Sequence, residues 1–456
     1  MKIKNLLLAL SLAGGSVGLP AFAGDAVAQP STRSIGDLAA RQPAENQQIG
    51  SPVKSIGDAN LVSTPIARGR LISDSQLVAP AASACDKGTS CDRSGPSGWV
   101  SCATPSSTNV WFGAETLLWF GQRQSSPALI TTAPMTTLPI LGNPGVSVQF
   151  GGQEGIDYGL IPGYRLSAGM YLDECQKIGL GGRVYGIFPD KDSYAIANGT
   201  GDPSIGVPFF NADPNVMADS AQLIAYHDGN QLAWAGDARV RADLDMVGTD
   251  GSLHLLLARS RDHRVDLLAG YTFNRLQSSI DLRTTRTNFD TGDLIPDGTI
   301  FRTVDLFETD NQFHGAHLGV LSSVVRNRLT LSTLAKVSFG NMRQTGAING
   351  FSEQELGGSV TPTVGGIFAQ ASNIGTFARD RFAFIPELGI KAGYSIAPGI
   401  ELTTGYTFMY WSSVALAGEQ MDSVVDPTQT VSRPVRTNAI GSYWMQGLDL
   451  GMQISY

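Results

Sequence analysis

The chain has 456 residues, of which 53 are Gly and only 16% are charged, with a formal net charge of −8. Soluble proteins average roughly 7% Gly and roughly 25% charged residues, so the mixture favours strands and turns. The acidic balance excludes a nucleic-acid binder and a polybasic membrane patch, and leaves room for two or three ordinary domains or one large all-β unit.

The first residues read as an address. Lys2 and Lys4 precede the apolar run Leu6 to Leu12, and Ala21-Phe22-Ala23 supplies a small-residue cleavage site before Gly24. Residues 1–23 are therefore expected to be a cleaved signal peptide, since the run is shorter than the ~20 residues of a spanning helix. No later stretch is apolar enough to cross as a helix, so membrane residence would have to be as a barrel. Residues 24–108 are rich in Ala, Ser, Pro, Gln and Gly and poor in aromatics, with a short echo in "RSIGDLAA" and "KSIGDANL". So little apolar surface predicts a mostly disordered periplasmic segment. It carries Cys85, Cys91 and Cys102; the remaining cysteine is Cys175.

From Val110 onwards apolar and polar residues alternate with period two, over runs about as long as the 9 to 11 residues of a tilted membrane strand. "VWFGAETLLWF", "FAFIPELGIKAGY" and "GIELTTGYTFMYW" each collect apolar side chains on one face. In "GDARVRADLDMV", Ala238, Val240, Ala242, Leu244 and Met246 alternate with charges. Short turns are predicted at 173–177, 260–264, 326–328 and 397–399. Long polar connections are predicted near 123–153, 189–235, 283–310, 346–380 and 418–439. Short turns at one rim and long loops at the other are the pattern of an outer-membrane barrel. The predicted fold class is all-β, a transmembrane antiparallel β-barrel over 109–456. About ten strands are expected, or twelve if 248–258 holds an extra crossing. Pro162 and Pro386 fall inside predicted strands, where a missing donor implies a bulge or a boundary.

The chain ends on "YWMQGLDLGMQISY". Trp444, Leu448, Leu450, Met452, Ile454 and Tyr456 share a face, as a closing strand towards lipid would require, since a barrel must pair its last strand with its first. The opposite face of each strand would line the lumen. That assigns Glu115, Arg165, Arg183, Asp237, Arg239, Arg241, Asp243, Asp245, Asp266, Lys336, Glu387, Lys391, Glu401 and Asp449 to the interior. On this assignment Leu450→Arg should harm folding in lipid more than Asp449→Arg.

Several ordered motifs carry a family resemblance: "VWFGAETLLWF" followed by "SPALITT", "LFETDNQFHGAHLGV", "LAKVSFGNMRQTGAINGFS", the stretch from "FIPELGIKAGY" to "ALAGEQMD", "DPTQ" and the final "YWMQGLDLGMQISY". Over about 110–456 the chain resembles the Putative beta-barrel porin-7 family of outer-membrane proteins. It departs from that pattern at Leu416-Ala417, at His314 and His317, and at the terminal Tyr456. The resemblance implies the barrel fold and the outer-membrane location.

Cations and carboxylates on the lumen face are similar in number. They can pair across the interior and hold the barrel closed, or line a narrow path for passive passage of small solutes. The alternative is a closed barrel that anchors long surface loops, especially 189–235, for external or envelope partners. Catalysis has little support. His314 and His317 are three apart and fall on opposite strand faces, which argues against a shared metal, and nothing distinguishes Ser252 beside His254 as a Ser-His pair. No catalytic residue, metal or cofactor is assigned. The expected partners are membrane lipid, the outer-membrane barrel assembly machinery and small solutes, with no nucleic acid. Export permits a disulfide between Cys175, in the predicted 173–177 turn, and one of Cys85, Cys91 and Cys102.

Overall fold

The computed structural model describes residues 110–456, apart from 291 and 293. The signal peptide expected at 1–23, the segment expected at 24–108 and its three cysteines lie outside the described residues.

Strands follow one another as β1 (Val110–Gly121), β2 (Gln124–Ala133), β3 (Ser147–Ile156), β4 (Ile161–Tyr171), β5 (Ile178–Ile187), β6 (Asp190–Asn198), β7 (Ser204–Asn211), β8 (Ala218–His227) and β9 (Leu232–Arg259). They continue as β10 (His263–Asn288), β11 (Ile300–Arg326), β12 (Leu329–Leu356), β13 (Ser359–Val364), β14 (Gly375–Ala397), β15 (Ile400–Val414), β16 (Val424–Val425) and β17 (Gly441–Ser455). Ten of these close a ring of antiparallel pairs in the order β1, β4, β5, β9, β10, β11, β12, β14, β15, β17 and back to β1. The ring is sealed where Trp111↔Ser455 through Gly121↔Met445 pair, and Val110 and Tyr456 exchange backbone hydrogen bonds of 3.0 and 2.9 Å. Every strand of the ring then has two neighbours and the ring leaves no edge to lipid.

Ten strands, not twelve, form the ring, because 248–258 is the lower half of one continuous β9. The tight turns at 172–177, 260–262, 327–328 and 398–399 lie where the sequence predicts them. The stretches expected as loops at 283–310 and 346–380 are largely strand, because β10, β11 and β12 run well past the ring before they turn. Neither proline shifts the register. Pro162 stands one residue outside the β4 and β5 ladder, and the β14 and β15 ladder ends at Glu387, immediately after Pro386. Above that point side chains take over, with Ser412 Oγ accepting from Phe384 N at 2.9 Å.

The long strands keep one burial phase but change chemistry along their length. On β10 every even residue from Asp266 to Thr284 is buried except Gly270, which is half-buried. The outward residues are Val265, Leu267, Ala269, Tyr271 and Phe273, then Arg275, Gln277, Ser279, Asp281 and Arg283. The inward ones change the other way, from Asp266, Thr272 and Asn274 to Leu276, Ile280 and Leu282. The lower half is thus dressed for lipid outside and polar groups inside, and the upper half for water outside and an apolar core inside.

This corrects five lumen assignments. Asp237, Arg239, Arg241, Asp243 and Asp245 point outward from β9 above the apolar belt, where Arg239 is 71% exposed and Arg241 57%. Their apolar partners Ala238, Val240, Ala242, Leu244 and Met246 are buried inside. The alternation on β9 is real, but in this half water, not lipid, lies outside.

Connections between the barrel strands fill the upper interior. β2, β3, β7, β8 and the two-residue β16 form a second sheet. Their apolar residues join Trp119, Phe307, Phe313, Trp411 and Tyr443 of the barrel wall in one buried cluster.

Candidate functional site in the barrel lumen

Below that cluster the lumen is crossed by a layer of buried ions. Glu115 (β1), Arg165 (β4), Arg183 (β5), Lys336 (β12), Glu387 and Lys391 (β14) and Asp449 (β17), all expected in the lumen, come together there. Asp250 of β9 joins them and was not anticipated. Four cations thus meet four carboxylates.

The layer has two linked parts. In one, Arg183 spans Asp250 at 2.5 Å and Glu387 at 2.7 Å, while Lys336 reaches the same two carboxylates at 2.8 Å each. In the other, Arg165 binds Glu115 at 3.0 Å and Asp449 at 2.9 Å, Lys391 pairs with Glu115, and Trp119 Nε1 and Thr407 Oγ1 donate to Asp449. Asp250, Lys336, Glu387 and Asp449 are each no more than 3% exposed as side chains. Trp119 and Tyr185 of the barrel wall lie over Arg165 and Arg183 at 5.5 and 5.6 Å, so the lower edge of the apolar cluster meets the guanidinium faces. Charges this dry are tolerated only when fully paired, so displacing one member strands another.

Between the layer and the short-turn rim lies a cavity of about 400 Å³. Arg264 and Asp266 pair at its lower edge at 2.6 Å, with Arg264 stacked on Tyr171 at 4.6 Å. Glu401 sits near the same rim, apart from the layer, so close to Gly393 that a Cβ there would fall 2.1 Å from its carboxylate. Ser252 meets His317 at 2.9 Å rather than His254, and Thr272 holds the other ring nitrogen at 2.8 Å. His314 faces outward and bonds Tyr271 at 2.7 Å. Cys175 lies in the β4 and β5 turn, where its carbonyl accepts from Arg259.

On the closing strand Leu448, Leu450 and Met452 are exposed on the outer surface beside the buried Asp449. Asp250 was legible in principle. It shares the parity of Ala242, Leu244 and Met246, so it continues an inward stripe that turns polar at membrane height. Among the described residues no helix is long and apolar enough to cross a membrane, and no group of His, Cys, Asp and Glu is arranged to hold a metal.

A ten-stranded ring with an apolar belt, short turns at one rim and structured loops at the other defines a transmembrane β-barrel of the outer-membrane class. The chain belongs to the family Putative beta barrel porin-7 (BBP7), whose model matches residues 111–456. No curated protein matches it in sequence. Among solved structures it is similar to the outer membrane protease OmpT from Escherichia coli, at 9% identity and a TM-score of 0.37, over 77% of this chain and 98% of that one. It is also similar to the CymD monoaromatic hydrocarbon channel, at 12% identity and a TM-score of 0.19, over 76% and 88%. A FadL homologue from Pseudomonas aeruginosa aligns at 8% identity and a TM-score of 0.23, over 76% and 90%.

Proposed function

We propose that this chain is a closed, non-catalytic outer-membrane barrel whose folded outer connections form a recognition head. It is exported through a cleaved signal peptide and inserted by the outer-membrane barrel assembly machinery. The observation that carries this reading is the double obstruction of the lumen. A solute entering from the short-turn side meets a layer of paired charges, four of them no more than 3% exposed, whose separation would leave buried ions unpaired. Above them it meets a core whose largest members, among them Trp119, Phe307, Phe313 and Trp411, are fully buried. A ten-stranded barrel is only slightly wider than the eight-stranded size whose interior side chains fill, and here the folded connections occupy the extra width of the upper half.

Passive passage of small solutes is the second reading, favoured by the cavity of about 400 Å³ beneath the ionic layer. Planar-bilayer recording on the refolded protein separates the two. A closed barrel gives a silent membrane at moderate voltage, and reproducible conductance steps would sink the first reading in favour of the second.

A further inference from the structure

Among the long connections, and sharing no lining residue with the ionic layer, a cleft of about 1100 Å³ runs between β3 and parts of β6 and β7. Residues 147 to 155 line one wall consecutively. A strand that offered the cleft a single face would contribute alternate residues, so the cleft follows the edge of β3. Among the described residues β3 pairs only with β2, through a ladder with four register shifts. Gly151, Gly152 and Gly155 adopt φ of 78°, 72° and 68°, and a Cβ at Gly151 would fall 2.3 Å from the Pro127 carbonyl oxygen. The backbone is therefore held tight against β2 while its polar groups emerge at uneven intervals. Half-buried Phe210, with Phe209 and Tyr194 packed on the core behind it, forms the facing wall; the Tyr194 hydroxyl donates to Gln149 Oε1 of β3 at 3.3 Å, and Glu154, Asp192 and Asp219 add carboxylates. Arg123, at one end, is already paired with Asp157 at 3.0 Å.

Each feature removes a class of ligand. The uneven backbone spoils the regular repeat that an added peptide strand would read. The surplus of carboxylates repels phosphate, sulfate and uronate polymers. Flat aromatic surfaces beside carboxylates, amides and main-chain groups suit a polyhydroxylated ring, whose C–H faces pack on aromatics while its hydroxyls are bonded at the edges. We propose that this cleft binds an oligosaccharide bearing free amino groups. The inference rests on reading the outer connections as a recognition head; conductance would remove that reading and leave the binding measurement standing.

The test is calorimetric titration of the full chain, folded in detergent micelles, with a glucosamine tetramer. Saturable binding is expected, at least tenfold weaker in the Glu154→Gln, Asp219→Asn double variant and in Phe210→Ala. The N-acetylated tetramer, which lacks the charge, is expected to bind at least fivefold more weakly. Both variants should keep the heat-dependent gel shift of a folded barrel. No saturation at millimolar tetramer, equal binding of tetralysine or of the acetylated tetramer, or affinity unchanged in the folded variants would each overturn the proposal.

Discussion

Asp449 and Leu450 are neighbours on β17 with opposite surroundings. Leu450 is 45% exposed on the outer face, where a mid-bilayer charge costs about 2 to 4 kcal/mol. Asp449 is 2% exposed, bound by Arg165, Trp119 and Thr407. A water-filled lumen would forgive Asp449→Arg, but this one would put a second guanidinium against Arg165 in a dry layer, for a loss of about 3 to 5 kcal/mol. Asp449→Arg is therefore expected to lower the urea midpoint of unfolding at least as much as Leu450→Arg, the reverse of the ranking that alternation alone suggests. A near wild-type midpoint for Asp449→Arg would mean the layer is wet. A second carboxylate, in the water-exposed half of the barrel, carries a pH signature. Burial pushes Asp305 from an ordinary 3.8 up to about 6, against the pull of the Ile367, Phe368 and Ala369 N–H groups that it accepts at 2.7 to 2.9 Å. The folded state then holds the proton more tightly than the unfolded one. The contribution is complete below about pH 4 and is lost as pH rises through about 6. Measured against Asp305→Asn by urea unfolding, wild-type stability should fall across that window and level off above it; a flat or rising difference would refute the assignment.

Along single strands the informative event is the exchange of polar and apolar faces partway up. β9 is the sharpest case, since Asp237 to Asp245 are outward and charged while the outward Val247, Leu253 and Leu255 below them meet lipid. Arg239→Ala should change stability by less than about 0.5 kcal/mol, as for most exposed positions. Val240→Asp, at a side chain 2% exposed, should cost at least about 3 kcal/mol by burying an unpaired carboxyl. Comparable, small losses for both variants would mean that Val240 does not face the apolar core. Period two made the strands, the short turns and the closing pair β1 and β17 legible in sequence. It could not tell outside from inside, because alternation fixes which residues share a face and leaves open what that face meets. Where the outer face is apolar, as at Leu388 and Ile390 on β14, reading that face as outer puts Glu387 and Lys391 on the face that carries the ionic layer. Where water lies outside the same rule inverts, as at Asp237 to Asp245. A strand of 28 residues such as β9 is far longer than a bilayer requires, and its stripes exchange character between Met246 and Asp250. That exchange is the mark of a strand that leaves the membrane.

The plug and the barrel wall share one apolar core rather than meeting as a lid on a tube. Leu129, Ile130, Ile205 and Val207 of the loop sheet lie in the same cluster as Ile280 and Leu282 of the wall. Polar pins join them as well: Gln124 donates to Ser278 at 2.7 Å, and Asn311 both donates to and accepts from the backbone of Ala415 at 2.8 and 2.7 Å. Opening the head alone would expose that shared core on both sides, so it should cost about as much as opening the wall, and the two should unfold as a unit. Ordinary surface loops exchange their amide hydrogens within seconds. Here, hydrogen exchange followed by mass spectrometry should find peptides over 126–132 and 204–208 protected to within about tenfold of 276–284. The β13 hairpin, whose six residues are all exposed and paired only with β12, provides the contrast within the same molecule and should exchange orders of magnitude faster. Full exchange of 126–132 in seconds, with 276–284 still protected, would show a head that opens independently, and the lumen would then have one permanent barrier, the ionic layer, rather than two.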